Sequence, residues 1–63
     1  MERFKLKIKR QDNSIYWVEH FNSIESLNIW LTEEQTRPYW DSTWTFEKYE
    51  VDAQGIESIY VGV

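Results

Sequence analysis

Few residues in this chain could do chemistry. His20 is the only histidine, and there is no cysteine. Asp12 and Ser14 precede it closely, so the three side-chain types of a proton-relay nucleophile are all present. Asp12 and Ser14, however, fall in 11-QDNS-14, a run of turn formers, whereas His20 belongs to the apolar run after it. Nothing in that spacing aims a hydroxyl, an imidazole and a carboxylate at one point, and His20 reads as structural. The other acid–base candidate is Glu33-Glu34. Paired carboxylates can flank a substrate, but adjacent helical residues point in different directions, so this pair reads as solvated charge. Without cysteine, disulfides and thiolate metal sites are excluded, and one histidine cannot build a multi-histidine site. A two-layer fold of 63 residues also offers little volume for a ligand pocket. The expectation is a non-enzyme that uses no metal and no cofactor.

Binding is better represented. Five of the seven basic residues fall in the first ten positions: Arg3, Lys5, Lys7, Lys9 and Arg10. Four Trp, four Tyr and three Phe are carried by the 63 residues, with a concentration in 37-RPYWDSTWTF-46. Lysines interleaved with rings on a sheet face are how several single-strand nucleic-acid binders stack bases. Here Trp17 and Phe21 beside Lys5 and Lys7 would form that platform. The net charge of −4 opposes this use, because ten acids and only two bases (Arg37 and Lys48) follow residue 10. The simpler expectation is that the basic strand meets the acidic remainder inside the fold.

The elements that must position these groups follow from periodicity. Residues 3–9, RFKLKIK, alternate strictly: Phe4, Leu6 and Ile8 on one side, Arg3, Lys5, Lys7 and Lys9 on the other, hence a strand with one buried face. Residues 15–21, IYWVEHF, are β-branched and aromatic, hence a second strand forming a hairpin with the first. A two-residue turn at Asp12-Asn13 would pair Leu6 with Glu19 and place that carboxylate on the core side, at a desolvation cost. A three- or five-residue loop avoids this. It points Tyr16, Val18 and His20 inward and leaves Ile15, Trp17, Glu19 and Phe21 beside the lysines.

Residues 22–35 read as a helix with Asn22 or Ser23 as cap. Ile24, Leu27 and Leu31 share its apolar face, Trp30 lies at the edge, and Ile29 lies opposite. Pro38 ends the helix near Gln35 or Thr36. A short connection leads to a third strand, 44–51, whose alternation slips: Trp44 and Phe46 share one side, Tyr49 and Val51 the other. Either a bulge lies near Glu47-Lys48 or both faces carry rings. Asp52–Gly55 is a turn, and residues 56–62 form a fourth strand pairing back on the third. The expected architecture is one α+β domain spanning residues 1–63: a two-layer ββαββ fold, an antiparallel sheet with one helix on one face.

One helix covers one side of such a sheet, so rings on the other side need a partner. Exposed apolar clusters rimmed by charge mark interaction sites, and Trp, Tyr and Arg dominate binding hot spots. The expected function is a protein-binding module that lays its outer sheet face, or a free strand edge, on a partner protein or on a second copy of itself. The expected contact residues are Trp17, Phe21, Lys7 and Lys5, with Trp40 and Trp44 as an adjoining patch, although the simpler expectation for these two rings is that they fold over the helix end and complete the core. The build, the length and the acidic, cysteine-free composition are similar to those of small bacteriophage accessory proteins that bind and modulate a host protein, a likeness that assigns no residue. No apolar run of signal-peptide or membrane-span length is present, so the expected setting is cytoplasmic.

Overall fold

In the computed structural model, residues 3–61 are described. Strands β1 (Phe4–Lys9) and β2 (Ile15–Phe21) are followed by helix α1 (Ile24–Gln35), then strands β3 (Thr45–Val51) and β4 (Glu57–Ile59). All pairings are antiparallel and the sheet order is β2-β1-β3-β4. The ββαββ order and the α+β class match the periodicity of the sequence. The fourth strand is shorter than the 56–62 expected, and position 62 lies outside the described residues.

The basic strand lies inside the sheet between β2 and β3, and its lysines are satisfied from β3 and β4. On the face away from the helix, Lys5 reaches Glu57 at 2.8 Å, Lys9 reaches Glu47 at 3.4 Å, and Lys7 lies over the Tyr49 ring at 5.1 Å. Arg3 meets Glu50 at 3.6 Å. The basic strand therefore does meet the acidic remainder inside the fold.

On the other face α1 lies across β1 and β2. Leu6, Ile8, Leu27 and Leu31 form the buried core, and Phe4, Tyr16, Phe21, Ile24, Trp30, Trp40 and Trp44 pack around it. Burial of each such aliphatic side chain is worth roughly 1.5–3 kcal/mol. Ser23 is the helix cap rather than Asn22, its hydroxyl accepting from the Ser26 N–H at 3.2 Å. The helix stops at Gln35 as expected, and Ile29 on its far side is exposed.

Three aspartates shape the turns by the same local chemistry, a carboxylate accepting the N–H two residues on. Asp12 accepts from Ser14, Asp41 from Thr43 and Asp52 from Gln54. The first and last of these turns are three-residue hairpin loops, closed between Arg10 and Ser14 and between Asp52 and Ile56. Each needs a left-handed residue at its end. Asn13 supplies it at φ 71° and Gly55 at φ 82°.

The β1–β2 register departs from expectation. Next to the loop, Lys9 faces Ile15, as a three-residue loop demands. One step further the pairing shifts, and Ile8 faces Trp17, Leu6 faces Glu19 and Phe4 faces Phe21. Tyr16 is the extra residue of a β-bulge. A slip of one residue moves every later side chain to the opposite face. Trp17, Glu19 and Phe21 therefore stand on the helix side, and Val18 and His20 stand beside Lys7 and Lys5 on the open side, the reverse of the expected arrangement. Only Tyr16 keeps its expected inward position, by virtue of being the bulged residue. Strand β3, in contrast, pairs with β1 without interruption, so no bulge lies at Glu47-Lys48 and both of its faces carry rings, Phe46 inside and Tyr49 outside.

Candidate functional site

The bulge assembles a pocket that no single segment of sequence announces. It lies on the helix side at the β2 edge, with a volume of about 350 Å³, lined by Ile8, Tyr16, Trp17, Glu19, Trp30, Glu34, Tyr39 and Trp40. That volume is at the small end of the range for ligand pockets, about 300–1,000 Å³, in keeping with the little volume expected of so short a chain.

Each wall has a local cause. Strand β2 supplies Tyr16 and Trp17 together because the bulge turns both toward the helix. Glu19 follows Trp17 on the same face and accepts a hydrogen bond from the indole N–H at 3.1 Å. Helix α1 supplies Trp30 and Glu34, four residues apart and so on one side of it. Beyond the helix the chain folds back in tight turns, with Thr36 N–H donating to the Glu33 carbonyl and Trp40 N–H to the Arg37 carbonyl, at 3.1 Å in both cases. This return brings the Tyr39 hydroxyl onto the Glu34 carboxylate, to which it donates. That bond pushes the Tyr39 hydroxyl above its ordinary titration range. The Asp41 turn then brings Trp44 behind Trp40, with ring centroids 5.4 Å apart, and against Tyr16 at 4.4 Å.

The pocket is walled by rings but not closed. Trp17 is 50% exposed and Tyr39 51% exposed, whereas Trp30 and Trp40 are partly buried behind them. Both acids in the lining are carboxylates held in place by a ring donor, and no basic residue is among the lining residues. Arg10 lies over the Tyr16 ring at 5.3 Å, held by Ser14 Oγ and the Ile15 carbonyl.

The expected contact residues are thus regrouped. Trp17 and Trp40 come together at the pocket, and Trp44 supports Trp40 from behind. Phe21 is on the same face but turned into the core against Trp30, centroids 5.8 Å apart. Lys5 and Lys7 are on the other face of the sheet, so the stacking platform of Trp17 and Phe21 beside these lysines does not form. His20 stands exposed opposite Lys5, while Asp12 is engaged by Ser14 through both its N–H and its hydroxyl, at 3.0 and 2.6 Å. Those bonds hold the Asp12 carboxyl below its usual range. Among the described residues, no group of three or more His, Asp or Glu is placed to hold a metal ion, and no helix is long and apolar enough to cross a membrane.

Sequence reasoning missed Tyr16, Glu19, Trp30, Glu34 and Tyr39 as one site. The available signal was Trp30 at the edge of the helix's apolar face, followed by Pro38, which forces the return of Tyr39 and Trp40 to that edge. Comparison with known proteins adds nothing to this geometry: no family model, curated protein or solved structure matches the chain.

Proposed function

We propose that this chain is a small non-enzymatic protein-binding module, of the kind a phage or mobile element uses in the cytoplasm to modulate a host protein. The supporting observation is the open aromatic pocket, in which two rings, Trp17 and Tyr39, remain half in water although Trp30, Trp40 and Ile8 lie directly behind them. Aromatic side chains are large apolar bodies with a polar tip, suited to a contact that is wet when free and dry when bound. Trp17, Tyr39 and Trp40 are the contact residues of this reading, with Trp44 as their support. Lys5 pairs with Glu57 and Lys7 lies over the Tyr49 ring on the other sheet face instead, and Phe21 packs against Trp30.

The test compares Trp17→Ser and Tyr39→Ser with a substitution on the open sheet face, Ile59→Ser. Affinity capture followed by quantitative mass spectrometry, with sedimentation of the isolated protein, reads both hetero- and self-association. The two pocket variants should lose a partner, or a dimer, that Ile59→Ser retains. Unchanged partners and unchanged mass in both folded pocket variants would remove the reading.

A further inference from the structure

We propose that the pocket seats an arginine side chain presented by the partner protein; this rests on the protein-binding reading above and names the group recognised. The pocket combines what a guanidinium requires and what most other groups do not tolerate. Five rings, Tyr16, Trp17, Trp30, Tyr39 and Trp40, line one small volume, and Tyr16 among them is already packed by Arg10 and Trp44. Ring faces carry negative electrostatic potential and attract cations at centroid distances within about 6 Å. Two carboxylates, Glu19 and Glu34, stand among the rings. An ionised carboxylate has roughly four lone-pair sites. The single donors from Trp17 and Tyr39 fix the orientation of each acid and leave acceptor capacity for an incoming N–H. No basic residue is in the lining to neutralise that pair. An anionic occupant would be repelled by the two acids, and a neutral donor would hydrogen-bond them but leave their charge uncompensated. A purely apolar occupant would strip water from both carboxylates without replacing it.

Arginine is favoured over lysine by shape. Its guanidinium is planar, stacks on aromatic faces and offers five donors, whereas an ammonium is a compact, strongly hydrated point charge. The same wall already displays this chemistry, since Arg10 lies over Tyr16 with its donors directed to oxygen acceptors. The net charge of −4 favours the approach of a basic partner surface.

The experiment uses the full chain, labelled with ¹⁵N, and follows the four indole N–H signals. The probe is a capped Gly-Arg-Gly peptide, titrated beside its citrulline counterpart, which has the same shape without the charge, and beside tetramethylammonium chloride. Saturable shifts of the Trp17, Trp30 and Trp40 signals with the arginine peptide are expected, with a Kd on the order of 1–10 mM for so small a probe. The citrulline peptide and tetramethylammonium should bind at least about tenfold more weakly, since one lacks charge and the other lacks donors. The Glu19→Gln/Glu34→Gln double variant should lose the same factor with an unchanged unfolding midpoint. Equal binding of arginine and citrulline peptides, equal binding of tetramethylammonium, or no saturable shift would each overturn the proposal, and none of these needs a variant to fold. If the peptide fails while Trp17→Ser still loses a partner, the protein-binding reading stands and the arginine assignment falls. If the peptide binds as described while partners are unaffected by Trp17→Ser and Tyr39→Ser, the arginine site is retained and the protein-binding reading falls.

Discussion

The two faces of the sheet solve opposite problems with the same composition. The helix side places apolar groups together and lets two carboxylates stand at the rim, each tied to a ring. The open side places a row of lysines in the middle and surrounds it with Glu47, Glu57 and Tyr49, so charge is cancelled in water without burying anything fully. Stability should reside in the first face and depend on pH and salt in the second. The proposed recognition surface is on the first face as well, at the β2 edge, one of the places where coverage by the helix runs out.

The largest effect that could break this contrast is at the core. Leu6→Ala, at a side chain with no exposure, should cost about 2–5 kcal/mol, enough to unfold much of so small a domain. Lys7→Ala, its neighbour on the open face, should cost under about 1 kcal/mol; urea denaturation of both variants measures the ratio. Equal losses would show that the open face contributes to stability as the helix side does.

Deletion of Tyr16 sharpens the comparison next. It removes the extra residue and leaves Lys9 opposite Ile15 and Ile8 opposite Trp17 in one continuous ladder. The deletion should keep Trp17, Glu19 and Phe21 on the helix side, and cost about 2 kcal/mol through loss of the ring that packs on Trp44. Cross-strand nuclear Overhauser contacts between residues 8 and 17 check the register. Contacts between residues 8 and 18 would refute it.

The inner and outer lysines give a smaller effect. Lys48 donates to Asn28 of the helix at 2.7 Å in a part-buried setting. Lys48→Ala should cost about 1 kcal/mol, more than Lys9→Ala, whose half-buried pair with Glu47 is longer at 3.4 Å. Thermal unfolding of the two variants decides the order.

The smallest effect is that of pH. Glu47 is held below the ordinary glutamate value of 4.5 first by the Tyr49 hydroxyl and then by Lys9, and Glu57 first by the hydrogen bond from Lys5. A folded-state value below the unfolded one gives stability that is complete above about pH 5 and lost as pH falls through the lowered folded values. The Tm should therefore be flat through the neutral range and decline on acidification. Double substitution Glu47→Gln/Glu57→Gln should flatten part of that decline, and added salt should reduce the difference.

Much of the fold was legible because most segments carry an unambiguous period. RFKLKIK can only be a strand with one apolar face, and Ile24, Leu27 and Leu31 can only face a core together. The second strand was not legible in this way. IYWVEHF has large apolar groups at both odd and even positions, so periodicity cannot choose its inner face. The choice rested on the cost of burying Glu19, and that cost depends on strand order. At the centre of a sheet it would be prohibitive. On the edge strand the carboxylate reaches the rim, stays partly exposed and accepts from Trp17. Trp17 is half exposed, as the sequence implied, but for the reason that it flanks a pocket rather than an uncovered sheet face. The pocket itself was hidden because its walls come from four segments, β1, β2, α1 and the connection after it, that are brought together by a bulge and by the return after Pro38.

The bulge also bears on how this molecule avoids its own kind. Among the described residues, strand β2 leaves one side of its backbone without a neighbour, a template onto which further strands could zip without limit. A surplus residue at Tyr16 interrupts that row of amides and carbonyls, which should hinder growth into fibrils at the most ring-rich margin of the protein.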